Sequence, residues 1–293
     1  RAVPENLEEI NQKLLDRRNL RVRPGLDDKV VAAWNGMAIR AFAEAGAALG
    51  DSEYLEAARA AAAFVRDAMT VEGIVMRSWK DGEHSVPGFL DDYAGVAVGL
   101  QALYQATGDV EWFIESERLI DKLRGFEGRD RRLYTTTSAE GLVKRPRDIA
   151  DNPAPSGNAL AAEALLVSSL FTGNLDIRDR SIAALGSIGD LAARYPSMVS
   201  HHLAVATSIH VGTRELAVVG PDREELVAVF WSSFRPEVVI APSDDADDRI
   251  PLLEGRGAIE GRATAYLCHN FVCDLSTTDP AALSSLLGGR SGT

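Results

Sequence analysis

The chain has 293 residues, 46% apolar and 25% charged, with a formal net charge of −12; this is enough apolar material for a self-supporting core, and the charge sign disfavours nucleic acid and anionic membrane as partners. Its longest uncharged run, Tyr93 to Thr107, is shorter than a membrane span and is broken by Gly, Gln and Thr, so no membrane association is expected. Cys268 and Cys273 are too few for a secreted disulfide framework, so a cytoplasmic setting is expected, and a first residue of Arg1 suggests part of a longer chain.

Near the start, "RRNLRVRP" brings Arg17, Arg18, Arg21 and Arg23 up to Asp27 and Asp28. Arginine forks pair with carboxylates, which predicts a salt-bridge cluster around the first loop, with Arg21 as the alternative contact for an acidic or phosphorylated ligand. The next stretch, "DDKVVAAWNGMAIRAFAEAGAALGD", has two relatives downstream: "GFLDDYAGVAVGLQALYQATGD" and "DNPAPSGNALAAEALLVSSLFTGN". Each has an acidic start, a glycine near the helix entry, a largely uncharged helix, and Gly followed by Asp or Asn. The spacing is roughly sixty residues, the signature of a repeated supersecondary unit.

Gly50, Gly108 and Gly173 suit left-handed helix C-caps, and Asp51, Asp109 and Asn174 suit N-caps of a following helix, so each unit reads as a helical hairpin. Charge separates the two helices of a hairpin. The first helices carry two charged residues (Val30–Leu49), none (Tyr93–Thr107) and one (Asn158–Thr172), against six, eight and six in the partners. A helix apolar all round is buried on every side, whereas a charged stripe faces water. Inner and outer layers of helices follow, with inner helices expected at 30–49, 92–107 and 156–172. Between hairpins, residues 73–82 and 131–141 read as short strands on the rim.

After Pro196, "HHLAVATSIHVG" reads as a further inner helix. Strand "RELAVVG", a helix over 222–234, strand "PEVVIAP" and a final "ATAYLCHNFVC" then predict a small α/β element. The division expected is a helical-hairpin body over 1–212 and a C-terminal element over 213–293. "SDDADDRIP" reads as a solvated turn.

If the hairpins form a ring, the loops before the inner helices gather at one end, and Asp27, Asp28, Asp91, Asp92 and Asp151 line one funnel. An Asp at such a place is commonly a cap. Doubled acids leave room for a second role, since a pair of carboxylates across a sugar is the apparatus of general acid and base chemistry on glycosides. Asp92, with Asp28 and Asp151, is the catalytic candidate. Trp34 and Tyr93 are candidate stacking plates, and Asn35, Ser156 and Asn158 candidate hydrogen-bonding groups for hydroxyls. None of the five histidines shows metal-ligand spacing, so no metal and no cofactor are expected. His201 and His202 read as surface or core residues, and a sugar epimerase that needs a histidine pair is disfavoured. Cys268 and Cys273 are five apart, and either two buried thiols, a disulfide or a redox-exchanging pair is open.

In series, "RRNLRVRPGLDDKVVAAWNGMAI", "GFLDDYA", "DNPAPSGNALAA", "ELAVVGP" and "AYLCHNFVC" resemble the C-terminal part of the YyaL-like family, bacterial relatives of spermatogenesis-associated protein 20. The resemblance runs from about Leu14 to Leu283. It implies a mainly α-helical fold, a partial (α/α)6 toroid of the six-hairpin glycosidase superfamily. It also implies a thioredoxin-like domain and further hairpins in cis in the full-length protein, so that this chain is an incomplete ring with an exposed seam. A sugar-like small molecule is the expected ligand, and a non-catalytic scaffold serving the thioredoxin-like domain is the alternative.

Overall fold

A computed structural model describes residues 6–139, 141–273 and 276–288. The elements run α1 (Leu7–Asn19), β1 (Val30–Val31), α2 (Ala32–Leu49), α3 (Ser52–Ala68), β2 (Thr70–Val71), β3 (Ile74–Val75), β4 (Ser78–Lys80), β5 (Glu83–His84), α4 (Leu90–Thr107) and α5 (Val110–Lys122). They continue with α6 (Gly157–Thr172), α7 (Leu175–Leu185), α8 (Gly189–Arg194), α9 (Ser200–Val211), β6 (Arg214–Val219), α10 (Glu224–Trp231), β7 (Val238–Ser243), β8 (Thr264–His269), β9 (Val272–Cys273) and α11 (Pro280–Gly288). The protein is mainly helical, a partial toroid of hairpins carrying a small α/β element.

The capping signals operate as the sequence predicts. Gly50, Gly108 and Gly173 close α2, α4 and α6 in the left-handed conformation, with φ of 67°, 72° and 67°. Asp51, Asp109 and Asn174 then accept backbone N–H groups at the starts of α3, α5 and α7. Each cap satisfies a donor that the first helical turn leaves open.

Helices α2, α4, α6 and α9 form the inner arc, each lying against the next, while α3, α5 and α7 lie outside. In α4 every residue from Asp92 to Tyr104 is buried, whereas α5 buries only Trp112, Phe113, Ser116 and Ile120. Small residues allow this closeness. A Cβ on Gly36 of α2 would stand 2.3 Å from the Gly95 backbone of α4, so the two backbones touch where glycines face one another. Helix α2 is buried where it meets α4 and α3, whereas Trp34 and Leu49 are 64% and 71% exposed. Helix α1 buries no residue.

The rim strands form only in part. Residues 70–84 make β2–β3 and, with β1, the three-stranded order β1-β4-β5. Residues 131–139 and 141 hold no strand, contrary to the sequence expectation. One isolated bridge, Glu127 to Leu133, is the nearest approach to one. Here arginines replace a partner strand: Arg145 donates to the Thr136 and Phe126 carbonyls, Arg147 donates to Leu133 O, and the Arg145 guanidinium lies 4.4 Å from the Tyr134 ring centre.

The C-terminal sheet has the order β7-β6-β8-β9, with β6–β7 parallel and β6–β8 antiparallel. Alternation along β6 serves two cores. Ala217 and Val219 join the helical core, while Leu216 and Val218 pack with Leu226 and Phe230 of α10 and Leu283 of α11.

Candidate functional site

The starts of the inner helices meet at one end. Asp92 is fully buried at the third position of α4, where its Oδ2 accepts from Phe89 N at 2.9 Å, a reach-back that caps α4. Its Oδ1 accepts from Ala33 N at 3.1 Å, at the start of α2, which has no side-chain cap of its own. One carboxylate thus caps two helices. Arg77 of the β3–β4 link bridges Asp91 and Asp92 at 2.5 and 3.0 Å. Burial and the neighbouring Asp91 charge push the Asp92 carboxyl up to about 6, against the pull of Phe89 N–H and Arg77.

Asp151 works in the same way at the other end of the arc: Oδ1 accepts from Ser156 N and Oδ2 from His201 N, the first turn of α9. Ser156 caps α6 through Ala159 N, and Asn158 Nδ2 donates to Asp148 O. Asp28 stands on the exposed rim, paired with Lys80 Nζ at 2.5 Å, and that partner holds its carboxyl below the usual range. Asp27 pairs with Lys29 at 3.3 Å. Among the described residues the arginine cluster expected around these two acids does not form; lysines occupy them, and Arg21 is exposed. Tyr93 is buried, its ring 5.3 Å from that of Phe126, whereas Trp34 presents its indole to solvent. Asn35 Nδ2 donates to Val31 O.

From the first turn of α9 to about two helical turns in along α2 and α6 lies a cluster that spans the arc. Arg40 of α2 reaches past α4 to Glu163 of α6, placing Nη1 2.8 and 2.9 Å from its two carboxylate oxygens, while its Nε holds Glu44 at 2.7 Å. His201 of α9 places Nε2 2.7 Å from Glu163 Oε2. Burial raises the tendency of Glu163 to protonate, but the His201 hydrogen bond and the Arg40 charge outweigh it and hold the acid ionised. Among the described residues no hydrogen bond is made to His201 Nδ1, and His201 is partly open to solvent. With the proton on Nε2, a carboxylate-oriented imidazole offers Nδ1 as a base. His202, fully buried with both ring nitrogens unpartnered among the described residues, is held neutral by burial.

Sequence reading missed Arg40 and Glu163 and set His201 apart from the rim. The signal was present: Arg40, Glu44 and Glu163 are the charged residues within otherwise uncharged inner helices. A charge on a helix buried all round needs a partner, so each marks a contact between helices. Among the described residues no group of three metal-ligating side chains is found and no helix is long and apolar enough to cross a membrane. A cleft of about 470 Å³ lies on the outer wall between α3 and α5, over Val65, Val96 and Leu100; it borders the rim strands at Thr70 and Val75 and shares no residue with the Arg40–Glu163–His201 cluster or the acids at the helix entrances.

No protein-family model matches the chain. Human spermatogenesis-associated protein 20 is 32% identical over 301 residues, covering 94% of this chain, and the chain spans 38% of that relative's length. Among solved structures, a sugar epimerase from a ruminal bacterium has 18% identity and a TM-score of 0.46, covering 62% of this chain and 54% of its own. The unsaturated glucuronyl hydrolase of Bacillus sp. GL1 has 14% identity and a TM-score of 0.44, covering 64% and 57%.

Proposed function

We propose that this homologue of spermatogenesis-associated protein 20 binds a small polyhydroxylated, sugar-like molecule at the mouth of its helical arc, with His201 as the proton-transfer group. The observation that carries the reading is the Arg40–Glu163–His201 cluster. Arg40 fixes the carboxylate, the carboxylate orients the imidazole, and Nδ1 remains for the ligand. A proton taken by Nδ1 leaves an imidazolium that Glu163 stabilises, which suits proton transfer at a hydroxyl or at a carbon beside a carbonyl. In this reading Asp28, Asp91, Asn35 and Trp34 meet hydroxyls and the apolar face of the ring at the rim, and Asp92 and Asp151 hold the helix entrances in register around the site.

The test is a thermal-shift panel of mono- and disaccharides on the full-length protein, followed by NMR of hydrogen–deuterium exchange at the carbons of any sugar that shifts the melt. His201→Gln is expected to retain binding and to slow exchange on the order of 10²-fold or more. No shift with any sugar, or exchange undiminished by His201→Gln, sinks the reading.

A second reading is favoured by one observation: the rim acids Asp28, Asp92 and Asp151 all have protein partners. In that case the body is a non-catalytic scaffold for a thioredoxin-like domain in the full-length protein. Unchanged melts across the panel, together with protection of the arc from hydrogen exchange only when that domain is attached, is the outcome it predicts.

A further inference from the structure

The two cysteines of the chain form a disulfide, Cys268 to Cys273. They face one another across the β8–β9 hairpin, whose turn residues Asn270 and Phe271 both take positive φ, 50° and 65°. Left-handed geometry at two successive positions is what a two-residue hairpin turn requires, and it is unfavourable for a residue as bulky as Phe271. Phe271 is held there from outside. Its ring packs on Gly173, the C-cap of α6, and its N–H donates to Glu215 of β6. The disulfide therefore sits at the end of α6 opposite the rim, roughly 24 Å of helix away from it.

A guanidinium addresses the sulfurs. Arg256 places Nη2 3.0 Å and Nε 3.2 Å from Cys273 Sγ, and Nη2 3.7 Å from Cys268 Sγ. Its remaining donors are spent on the carbonyls of Leu252, Glu254 and Phe271, which fix its direction. A neutral disulfide gains little from a cation at this range, whereas a thiolate gains a charge-assisted hydrogen bond. The arrangement therefore favours the reduced pair. Exposure sorts the two sulfurs, since Cys268 is 1% exposed and Cys273 is half-buried.

The geometry points to Cys268–Cys273 as a thiol–disulfide exchange site, with Arg256 as the group that stabilises the reduced form and a dithiol as the reductant. The dithiol's thiolate attacks Cys273 Sγ. The bond between the two sulfurs breaks, and its electron pair leaves on Cys268 Sγ beside Arg256 Nη2. The reductant's second thiol gives its proton to solvent and attacks the reductant sulfur of the mixed disulfide, releasing Cys273 as a thiolate. The reductant ends as a disulfide and this chain has gained two electrons. Cys268 takes a proton from solvent, and Cys273 remains a thiolate against Arg256. Two other groups act on the Arg256 charge: Glu215, across the ladder from Cys268, and Tyr266 of β8.

The test uses the full-length protein titrated with dithiothreitol under native conditions, with each cysteine read by alkylation and peptide mass spectrometry. Reduction of this pair without loss of the folded circular-dichroism signal is expected. Alkylation of Cys273 should show a midpoint at least one pH unit below the ordinary thiol value of about 8.5. Arg256→Gln should raise that midpoint and shift the exchange equilibrium at least tenfold toward the disulfide, while Arg256→Lys keeps the charge and most of the effect. Reduction that occurs only together with unfolding overturns the proposal, as does a Cys273 midpoint at the ordinary value in the wild type. If Arg256→Gln fails to fold, the wild-type midpoint and Arg256→Lys still decide.

Discussion

Asp92 and Glu163 are both acids set among apolar inner helices, yet they are held in opposite ways. Asp92 is answered mainly by backbone N–H groups and shares one arginine with Asp91, so burial wins and its carboxyl is pushed up to about 6. Glu163 takes one Arg40 nitrogen, Nη1, on both of its carboxylate oxygens and a histidine besides, so it stays ionised although surrounded by helices. A carboxylate beside a helix N-terminus does the work of a cap. One that is fixed from the side by a guanidinium is free to orient a third group. Proximity to a helix entrance, taken alone, does not separate the two.

Removing the more tightly paired acid should have the largest effect. Glu163→Ala leaves Arg40 and His201 without their shared partner, and a loss of about 3 kcal/mol in urea denaturation is expected. A double-mutant cycle with Arg40→Met should return a coupling of at least about 1 kcal/mol. Additive losses would break the contrast between the two sites.

Asp92→Asn should cost about 1–3 kcal/mol. The amide has one acceptor oxygen where the carboxylate has two, and its NH2 must face Ala33 N–H, Phe89 N–H or Arg77. Near-normal stability of this variant would mean that the double cap is dispensable, and would return Asp92 to the pool of chemical candidates.

Glu117 sharpens the comparison as a half-buried acid whose carboxyl has no basic partner among the described residues. Among the described residues it accepts only from Ser168, and burial pushes it up to about 7. Because the folded value lies above the unfolded one, the native state holds the proton more tightly. The stability from that proton is complete below about pH 4.5 and is lost as pH rises through about 7. Glu117→Gln should therefore gain on the wild type between pH 5 and pH 8, by roughly 1–3 kcal/mol. A difference between the two proteins that does not change with pH would show Glu117 to be solvated.

The smallest effect belongs to the rim. Asp28→Asn removes an exposed pair with Lys80, which water and salt screen, so no measurable shift in thermal melting is expected at physiological ionic strength. A clear loss would place Asp28 among the framework acids beside Asp92.

Much of the architecture was legible because it rests on local rules. Uncharged helices are inner helices, glycines close them in the left-handed conformation, and Asp51, Asp109 and Asn174 start the next helix by side-chain capping. A small C-terminal α/β element was legible from its strands and helix. Two features differ from what the sequence predicts: residues 131–139 and 141, where arginine contacts to carbonyls stand in for strand pairing, and "RRNLRVRP", where Lys80 reaches Asp28 before any arginine does. Lys80 is far from Asp28 in sequence, and the β1–β4 pairing that brings it close is invisible to spacing.

Which helices lie inside, where they start and stop, and the presence of several acids at their entrances follow from the order of residues along the chain. Periodicity and capping are properties of neighbours along the chain, and they survive without tertiary contacts. Tertiary structure alone decided that Asp92 caps α2 as well as α4, that Arg40 and Glu163 meet across 123 residues, that His201 joins them, and that the two cysteines lie opposite one another beside Arg256. The charge of a group on an inner helix is written in the sequence, but whether it becomes a cap, a clamp or a base depends on which side chain from another helix reaches it first.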